Sequence, residues 1–205
     1  MKLVSLGCQC TPASHIKFGR KEGGIVSPFA WSISTPEIVR NILQNNFKTF
    51  LNRDKYSYWT SPSTNLLQRF LGQKKALPVS EDGLKFSHSD PIKKDSDYEK
   101  VKTQCEYLKE CLNTPSGFGY IMSIFRPLEK HRNDLIEIRS MIPADCKFFV
   151  CYFNKKSINT EPDIIFNDIY YGAINVKDLK FKDGERARTM GTCEEYTKMI
   201  DKIFY

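Results

Sequence analysis

The sequence predicts an α/β fold: one domain over residues 1–205, built as a three-layer sandwich with a mostly parallel sheet and helices on both faces. Three observations predict it. A short apolar strand at Lys2-Leu3-Val4-Ser5-Leu6 ends at Gly7 and runs straight into a helix start at Thr11-Pro12. From Tyr120 onward the chain repeats strand, helix, strand. Phe148-Phe149-Val150-Cys151-Tyr152-Phe153 is a near-continuous apolar run, as expected of a strand covered on both faces.

The elements follow in order. Lys2 to Leu6 is a strand and Pro12 to Phe18 a short helix, with Thr11 as N-cap, Pro12 at the first helical position and Gly19 as the stop. Thr35 caps a longer helix with Pro36 first and Glu37 in the first turn. Its apolar stripe is Ile38, Val39, Ile42, Leu43, Phe47 and Leu51. A further helix is expected near Ser63 to Leu71. Leu77 to His88 reads as a hairpin turning at Asp82-Gly83. Ser96-Asp97-Tyr98-Glu99 is a capping box, opening a helix with Tyr98, Val101, Cys105, Leu108 and Leu112 inward. Tyr120 to Phe125 is a strand and Leu128 to Ile142 a helix. Ile164 to Phe166 and Ile169 to Ile174 are further strands, and Thr192 caps a final helix through Phe204.

Composition narrows the function. Hydrophobic residues make up 40% and charged residues 27% of 205 residues, ordinary for a water-soluble globular chain large enough to bury a core. No apolar stretch approaches the ~20 residues that span a bilayer, and the N-terminus lacks an apolar signal segment. The expected location is the cytoplasm. Seven cysteines, an odd number, argue against a disulfide framework and for buried reduced thiols. The net charge of +7 reflects solubility, or attraction to an acidic or phosphate-bearing ligand or surface. The basic residues are scattered (Lys17, Arg20, Lys21; Lys74, Lys75; Lys93, Lys94; Lys155, Lys156; Arg186, Arg188), with no basic helix face and no nucleic-acid motif, so nucleic acid is not the expected partner. Nothing in the sequence sets an oligomeric state.

Chemistry concentrates after the first strand, in Gly7-Cys8-Gln9-Cys10. Cys10 falls at a helix mouth at the carboxyl end of a strand, where unpaired N–H groups favour an anion and a thiolate is an anion. The competing reading is a small apolar residue in a tight turn. Cys8 and Cys10 could form half a zinc site, but a closed site takes four ligands. Only His15 and His88 stand as further candidates, so neither a metal nor a cofactor is expected. His88, after Leu84-Lys85-Phe86, is the candidate base, with His15 as its competitor; His131, between charged residues, reads as exposed. Asp90 could orient His88 or close an Asx turn before Pro91. Arg126, at a strand end, could hold a carboxylate or phosphate, or pair with a surface acid. Phe29, Trp31, Tyr56, Tyr58 and Trp59 read as packing first and pocket lining second.

Val4-Ser5-Leu6-Gly7-Cys8-Gln9-Cys10-Thr11-Pro12-Ala13, then Ser27-Pro28-Phe29-Ala30-Trp31-Ser32, then Phe86-Ser87-His88 resemble a domain family of papain-like cysteine peptidases. That family's pattern is roughly S-L-G-x-x-C-x-x-A, P-F-D-W and F-x-H. Ser5, Leu6, Gly7, Cys10 and Ala13 match the first block, Pro28, Phe29 and Trp31 the second, Phe86 and His88 the third. The likeness is best over the first ninety residues. Ala30 departs from it, standing where the family has an acid. The resemblance implies a cysteine nucleophile with a histidine partner, so the expected function is a hydrolase using Cys10 and His88. Beside it, the residues' own placement makes Asp90 the candidate orienting acid and Ser5, Gly7, Cys8, His15, Trp31 and Arg126 the candidate substrate contacts. A cysteine directly after the first strand fits a Rossmann-like or SGNH-type hydrolase fold, not that of papain itself. Two alternatives stand: a transferase or binding domain for an anionic sugar- or nucleotide-type ligand, and an inactive interaction module.

Overall fold

The computed structural model describes residues 1–8, 10–19, 24–25, 27–60, 76–154, 160–176 and 193–205. In chain order its elements are β1 (Lys2–Ser5), α1 (Thr11–Ser14), β2 (Gly24–Ile25), β3 (Ser32–Ile33), α2 (Pro36–Gln44), β4 (Ser57–Trp59), β5 (Leu77–Val79), β6 (Lys85–Phe86), α3 (Asp95–Asn113), β7 (Phe118–Ile124), α4 (Arg132–Met141), β8 (Lys147–Asn154), β9 (Thr160–Ile164), β10 (Ile169–Asn175) and α5 (Glu194–Phe204). The fold is α/β with a mixed, mostly parallel main sheet of six strands in the order β2-β1-β7-β8-β10-β9. Every neighbouring pair is parallel except β10 with β9, an antiparallel edge.

Alternation along the central strands builds two cores. Tyr120, Met122 and Ile124 of β7 and Phe148 and Val150 of β8 face α2, α3 and α4. Ile121, Phe149, Cys151 and Phe153 face the opposite way, onto Tyr196, Ile200, Ile203 and Phe204 of α5. The parallel order steps outward from β1 in both directions. β1 and β7 therefore flank a point where successive connections leave on opposite sides, the place at the strands' carboxyl ends where ligands gather in folds of this kind.

Between β2 and β7 the chain inserts a second, antiparallel sheet in the order β3-β6-β5-β4. The expected hairpin is its β5–β6 pair. Gly83, at φ +89, takes the left-handed turn position, and Gly83 N–H donates to Ser80 O at 2.9 Å. β3 and β4, at two and three residues, are too short to show alternation in the sequence. Phe86 points inward, stacked on Phe50 at 5.9 Å, and joins Phe29, Phe47, Val4 and Leu6 in one core. This core fastens β6, and the residues just after it, to the end of β1.

Several boundaries differ from expectation. Cys10, not Thr11, occupies the N-cap position of α1, with no side-chain cap; Thr11 is the first helical residue and is buried. The helix expected through Phe18 has one α-turn and then widens into a π-turn over His15–Gly19. The Ser96 capping box does not form: α3 begins at Asp95 after Lys94, with no side-chain cap, while Asp97 instead accepts from Asp90 N–H at 2.8 Å. The helix expected from Leu128 is broken by a 3-10 turn at Leu128–Lys130. Phe166, expected in a strand, lies in a 3-10 turn. The Thr35 cap is present, its Oγ1 accepting from Ile38 N–H at 3.4 Å. The helix expected at Ser63–Leu71, the Thr192 cap and most of the scattered basic residues lie outside the described residues.

No described helix is long and apolar enough to cross a membrane. All seven cysteines are free thiols, five of them buried.

Candidate active site

The Cys10 Sγ and His88 Nε2 atoms stand 3.5 Å apart, 78 residues apart in sequence. Cys10 arrives from the end of β1 and His88 from just beyond β6. The turn holding Cys10 is tied down on both sides. Leu6 N–H donates to Ile121 O at 2.8 Å, Cys8 N–H to Ser123 O at 3.3 Å, and Ser123 N–H to Gly7 O at 2.9 Å. Gly7 sits at φ +86, and a Cβ there would meet Ser34 Oγ at 2.9 Å and Phe29 Cβ at 3.4 Å, so the turn needs glycine twice over.

The loop from Ser27 to Trp31 is laced onto the same strand end. Ser27 Oγ donates to Ser5 O, Phe29 N–H to Ser27 Oγ at 3.2 Å, and Ser32 Oγ to Phe29 O at 2.5 Å. Trp31, at φ +60, is in the left-handed region, an uncommon conformation for a bulky side chain. Its ring meets the His88 imidazole edge-to-face, centroids 5.6 Å apart at 78°, and Lys17 Nζ lies 5.8 Å from the indole centroid. The Trp31 carbonyl accepts from the Ser87 hydroxyl.

Both reacting groups are neutral at pH 7. Burial pushes the Cys10 thiol up to about 11, with the Ser87 contact opposing. His88 is exposed as a whole residue, but its ring sits against Trp31 and Cys10, and the lost hydration holds its pKa below the usual histidine value. The expected lowering of the thiol by the helix mouth is therefore not what prevails. With one α-turn of four residues, few peptide dipoles align behind Cys10, and desolvation wins. Only roughly one Cys10 in ten thousand would be thiolate at pH 7 on its own titration. With both groups neutral, the tautomer that leaves Nε2 unprotonated lets the thiol donate to it.

The remaining candidates fall into place around this pair. Asp90 does not reach His88: its carboxylate accepts from Tyr58 Oη at 2.9 and 3.1 Å and from Lys93 N–H at 3.2 Å, the turn-closing alternative. His15 is fully buried, edge-on to Tyr196 at 5.2 Å and thus in the second core, away from Cys10. Ser5 and Gly7 are buried parts of the turn, with Ser5 Oγ accepting from Gly7 N–H at 3.5 Å. Cys8 is buried, its thiol near Ser34 and pushed up to about 12 by desolvation. Trp31 is partly exposed and stands against the dyad. Arg126 is exposed beside His131. His131 is not the exposed residue expected: only 8% of it is accessible, because the turn before α4 swings it inward toward Asp134 while Glu129, Lys130 and Arg132 face water. Among the described residues no group of three His, Cys, Asp or Glu side chains could hold a metal ion.

An open cavity of about 750 Å³ lies elsewhere, lined by Leu112, Pro115, Arg139, Pro143 and Asp168 among others. These residues precede β7, β8 and β10, so the cavity is at the amino ends of the strands, opposite Cys10. Ser87 is the site residue the sequence did not single out. The only signal for it is its place between Phe86 and His88. Comparison with family models, curated proteins and solved structures finds no match for this chain.

Proposed function

We propose that this chain is a cysteine-dependent hydrolase acting on an acyl or amide carbonyl, with Cys10 as nucleophile and His88 as general base. The observation that carries the reading is the 3.5 Å approach of Cys10 Sγ to His88 Nε2 at the carboxyl end of the sheet. As Sγ attacks the carbonyl carbon, its proton passes to Nε2. The imidazolium then protonates the leaving group, and a thioester remains on Cys10. Water, deprotonated by His88, hydrolyses that thioester and restores the thiol. In the first turn of α1, Pro12 has no N–H and Ser14 N–H is spent on Cys10 O. The N–H groups around Cys10 and Ala13 are therefore the candidates to receive the oxyanion. With Asp90 engaged by Tyr58, the edge-to-face Trp31 ring takes the part of orienting the imidazole.

On the same footing we read the fold as a three-layer α/β sandwich of the Rossmann-like or SGNH-like kind. The two cores on opposite faces of the sheet and the strand order support this. The likeness to papain-like cysteine peptidases rests on the motifs around Cys10, Trp31 and His88, and concerns the dyad's chemistry rather than the chain path.

The test uses p-nitrophenyl acetate as an acyl donor, with mass spectrometry to locate the adduct. Acetyl is expected on Cys10 and on no buried thiol. Cys10→Ala should abolish the adduct, and His88→Ala should slow its formation by roughly a hundredfold or more, the usual worth of a general base. No acetyl on Cys10, with a phosphate compound raising the melting temperature instead, would assign the chain to the anion-binding alternative.

A further inference from the structure

His88 belongs to no strand or helix. It sits in the loop between β6 and α3, so its 3.5 Å approach to Cys10 depends on what fixes that loop. Just before His88 the fixed point is Ser87, whose hydroxyl donates to the Trp31 carbonyl. Beyond His88 it is Asp90, and each polar group of Asp90 is engaged. Its N–H donates to Asp97 Oδ2 at 2.8 Å, and its carbonyl accepts from Lys94 N–H at 2.9 Å. Its carboxylate accepts from Tyr58 Oη at 2.9 and 3.1 Å and from Lys93 N–H at 3.2 Å. Two of these partners belong to other elements, Tyr58 to β4 and Asp97 to the first turn of α3. We infer that Tyr58 and Asp97 are positioning residues for the reaction: they grip Asp90 from two elements and so hold the loop that presents the His88 imidazole to Cys10.

This rests on the reading of His88 as the base that serves Cys10. The inserted sheet alone does not place the imidazole. β6 pairs with β3 and β5 through Ser32, Ile33 and Val79, and its ladder stops at Phe86. Past that residue the backbone is guided by single contacts. Misplacing a reacting group by about 1 Å can cost a hundredfold in rate, so the contacts that stop the loop from drifting bear on the chemistry. Arg53 fastens the remainder of the loop, its Nη2 donating to Ile92 O at 2.9 Å and its Nη1 to Asp95 Oδ1 at 2.6 Å. Asp97 and Tyr58 act closer to His88, through the residue two places beyond it. The Asp97 bond is partly buried and the Tyr58 bond exposed, which makes Asp97 the stronger pin. The grip also gives Asp90 a part in the site without contact to the imidazole: it is the point by which the loop is held.

The experiment is the rate of Cys10 acetylation by p-nitrophenyl acetate at pH 7, read by mass spectrometry, for Asp97→Ala, Asp97→Asn and Tyr58→Phe, each in the native chain and in His88→Ala. Asp97→Ala is expected to slow the reaction by roughly tenfold or more and Tyr58→Phe by roughly threefold, the worth of a bond to a carboxylate in partly buried and in exposed surroundings. Asp97→Asn keeps an acceptor oxygen and should stay within about twofold of the native rate. In the His88→Ala background none of these changes should slow the reaction further, because the grip then has no base to place. A merely structural role would slow it in both backgrounds. Where Asp97→Ala loses its cooperative melt, Tyr58→Phe, which keeps the ring and leaves the start of α3 alone, carries the same comparison. Native rates in both Asp97→Ala and Tyr58→Phe overturn the inference. So does an asparagine variant as slow as alanine, or a loss of equal size with and without His88. His88→Ala on its own separates the two claims. If it is slow while Asp97→Ala and Tyr58→Phe keep the native rate, the dyad stands and the grip falls; if it reacts at the native rate, the dyad falls and takes the grip with it.

Discussion

At the scale of single residues, burial is the effect that decides the chemistry. It raises the thiols of Cys8 and Cys105 to about 12 and those of Cys10, Cys111 and Cys193 to about 11. In the unfolded chain the same thiols ionise near their ordinary value of about 8.5. The folded state thus holds protons that the unfolded state has released, and stability is full below about pH 8.5 and declines from there toward pH 11 and above. Each thiol contributes a slope of about 1.4 kcal/mol per pH unit in that window. Urea melts between pH 8 and 10.5 should show the loss, and replacing Cys105 by Ala should make the fall shallower. A stability that is flat over this range would mean the thiols are not protonated within packing as described. Legibility in the sequence is uneven at this scale. Cys10 and His88 stood out because each follows a strand and carries a recognisable neighbourhood. Asp90 was a natural choice for an orienting acid, but its true partner, Tyr58, is 32 residues away. His131 looked exposed because the sequence shows charged neighbours and not the turn that directs it inward.

Between elements, the ends of helices and the contacts across them position the site. α2 and α4 are joined by Arg40 to Asp134 at 2.6 Å and Gln44 to Glu137 at 2.5 Å, and the Asp134 carboxylate adds to the upward push on the Cys8 thiol. Desolvation raises the Asp134 pKa and the Arg40 guanidinium opposes it. Arg40→Ala would leave that carboxyl without its cation, at a cost of about 1–3 kcal/mol for a partly buried pair. The sign of the pH dependence follows. With the cation gone the folded-state pKa of Asp134 rises further above its unfolded value, so the stability it contributes in protonated form is lost as pH rises. The variant's deficit, measured by chemical denaturation, is expected to be larger at pH 7 than at pH 4. An equal deficit at both would show that Asp134 is not desolvated. Long elements were legible because a helix such as α3 or a strand such as β8 repeats its pattern many times. β3 and β4, at two and three residues, cannot, and β9 reads as parallel or antiparallel with equal ease from its residues alone. Cap positions moved by one residue because Cys10 takes the N-cap position without a side-chain bond, a choice that tertiary contacts of the Gly7 turn impose.

In the whole molecule, the main sheet carries Cys10 and the inserted sheet carries His88. The sequence carries the alternation of the first in its second half, and so the α/β class was readable. The meeting of the two sheets was not, since it depends on Phe86 reaching Phe50 and on the 27–31 loop binding back to Ser5, contacts between segments that no local period encodes. The 750 Å³ cavity at the amino ends of the strands lies away from this meeting point, so the proposed function follows the groups that converge and not that open space.

The most direct measurement of the central claim is the pH dependence of Cys10 acetylation by p-nitrophenyl acetate in the native chain and in His88→Ala. A neutral imidazole must accept the proton, and His88 titrates below the usual histidine value. The native rate should therefore be flat at pH 7, falling only as pH drops below about 6.5. The variant's rate should climb steadily toward the thiol's own pKa of about 11. Two profiles that climb together toward alkaline pH would show a thiol reacting alone and would contradict the pairing of Cys10 with His88.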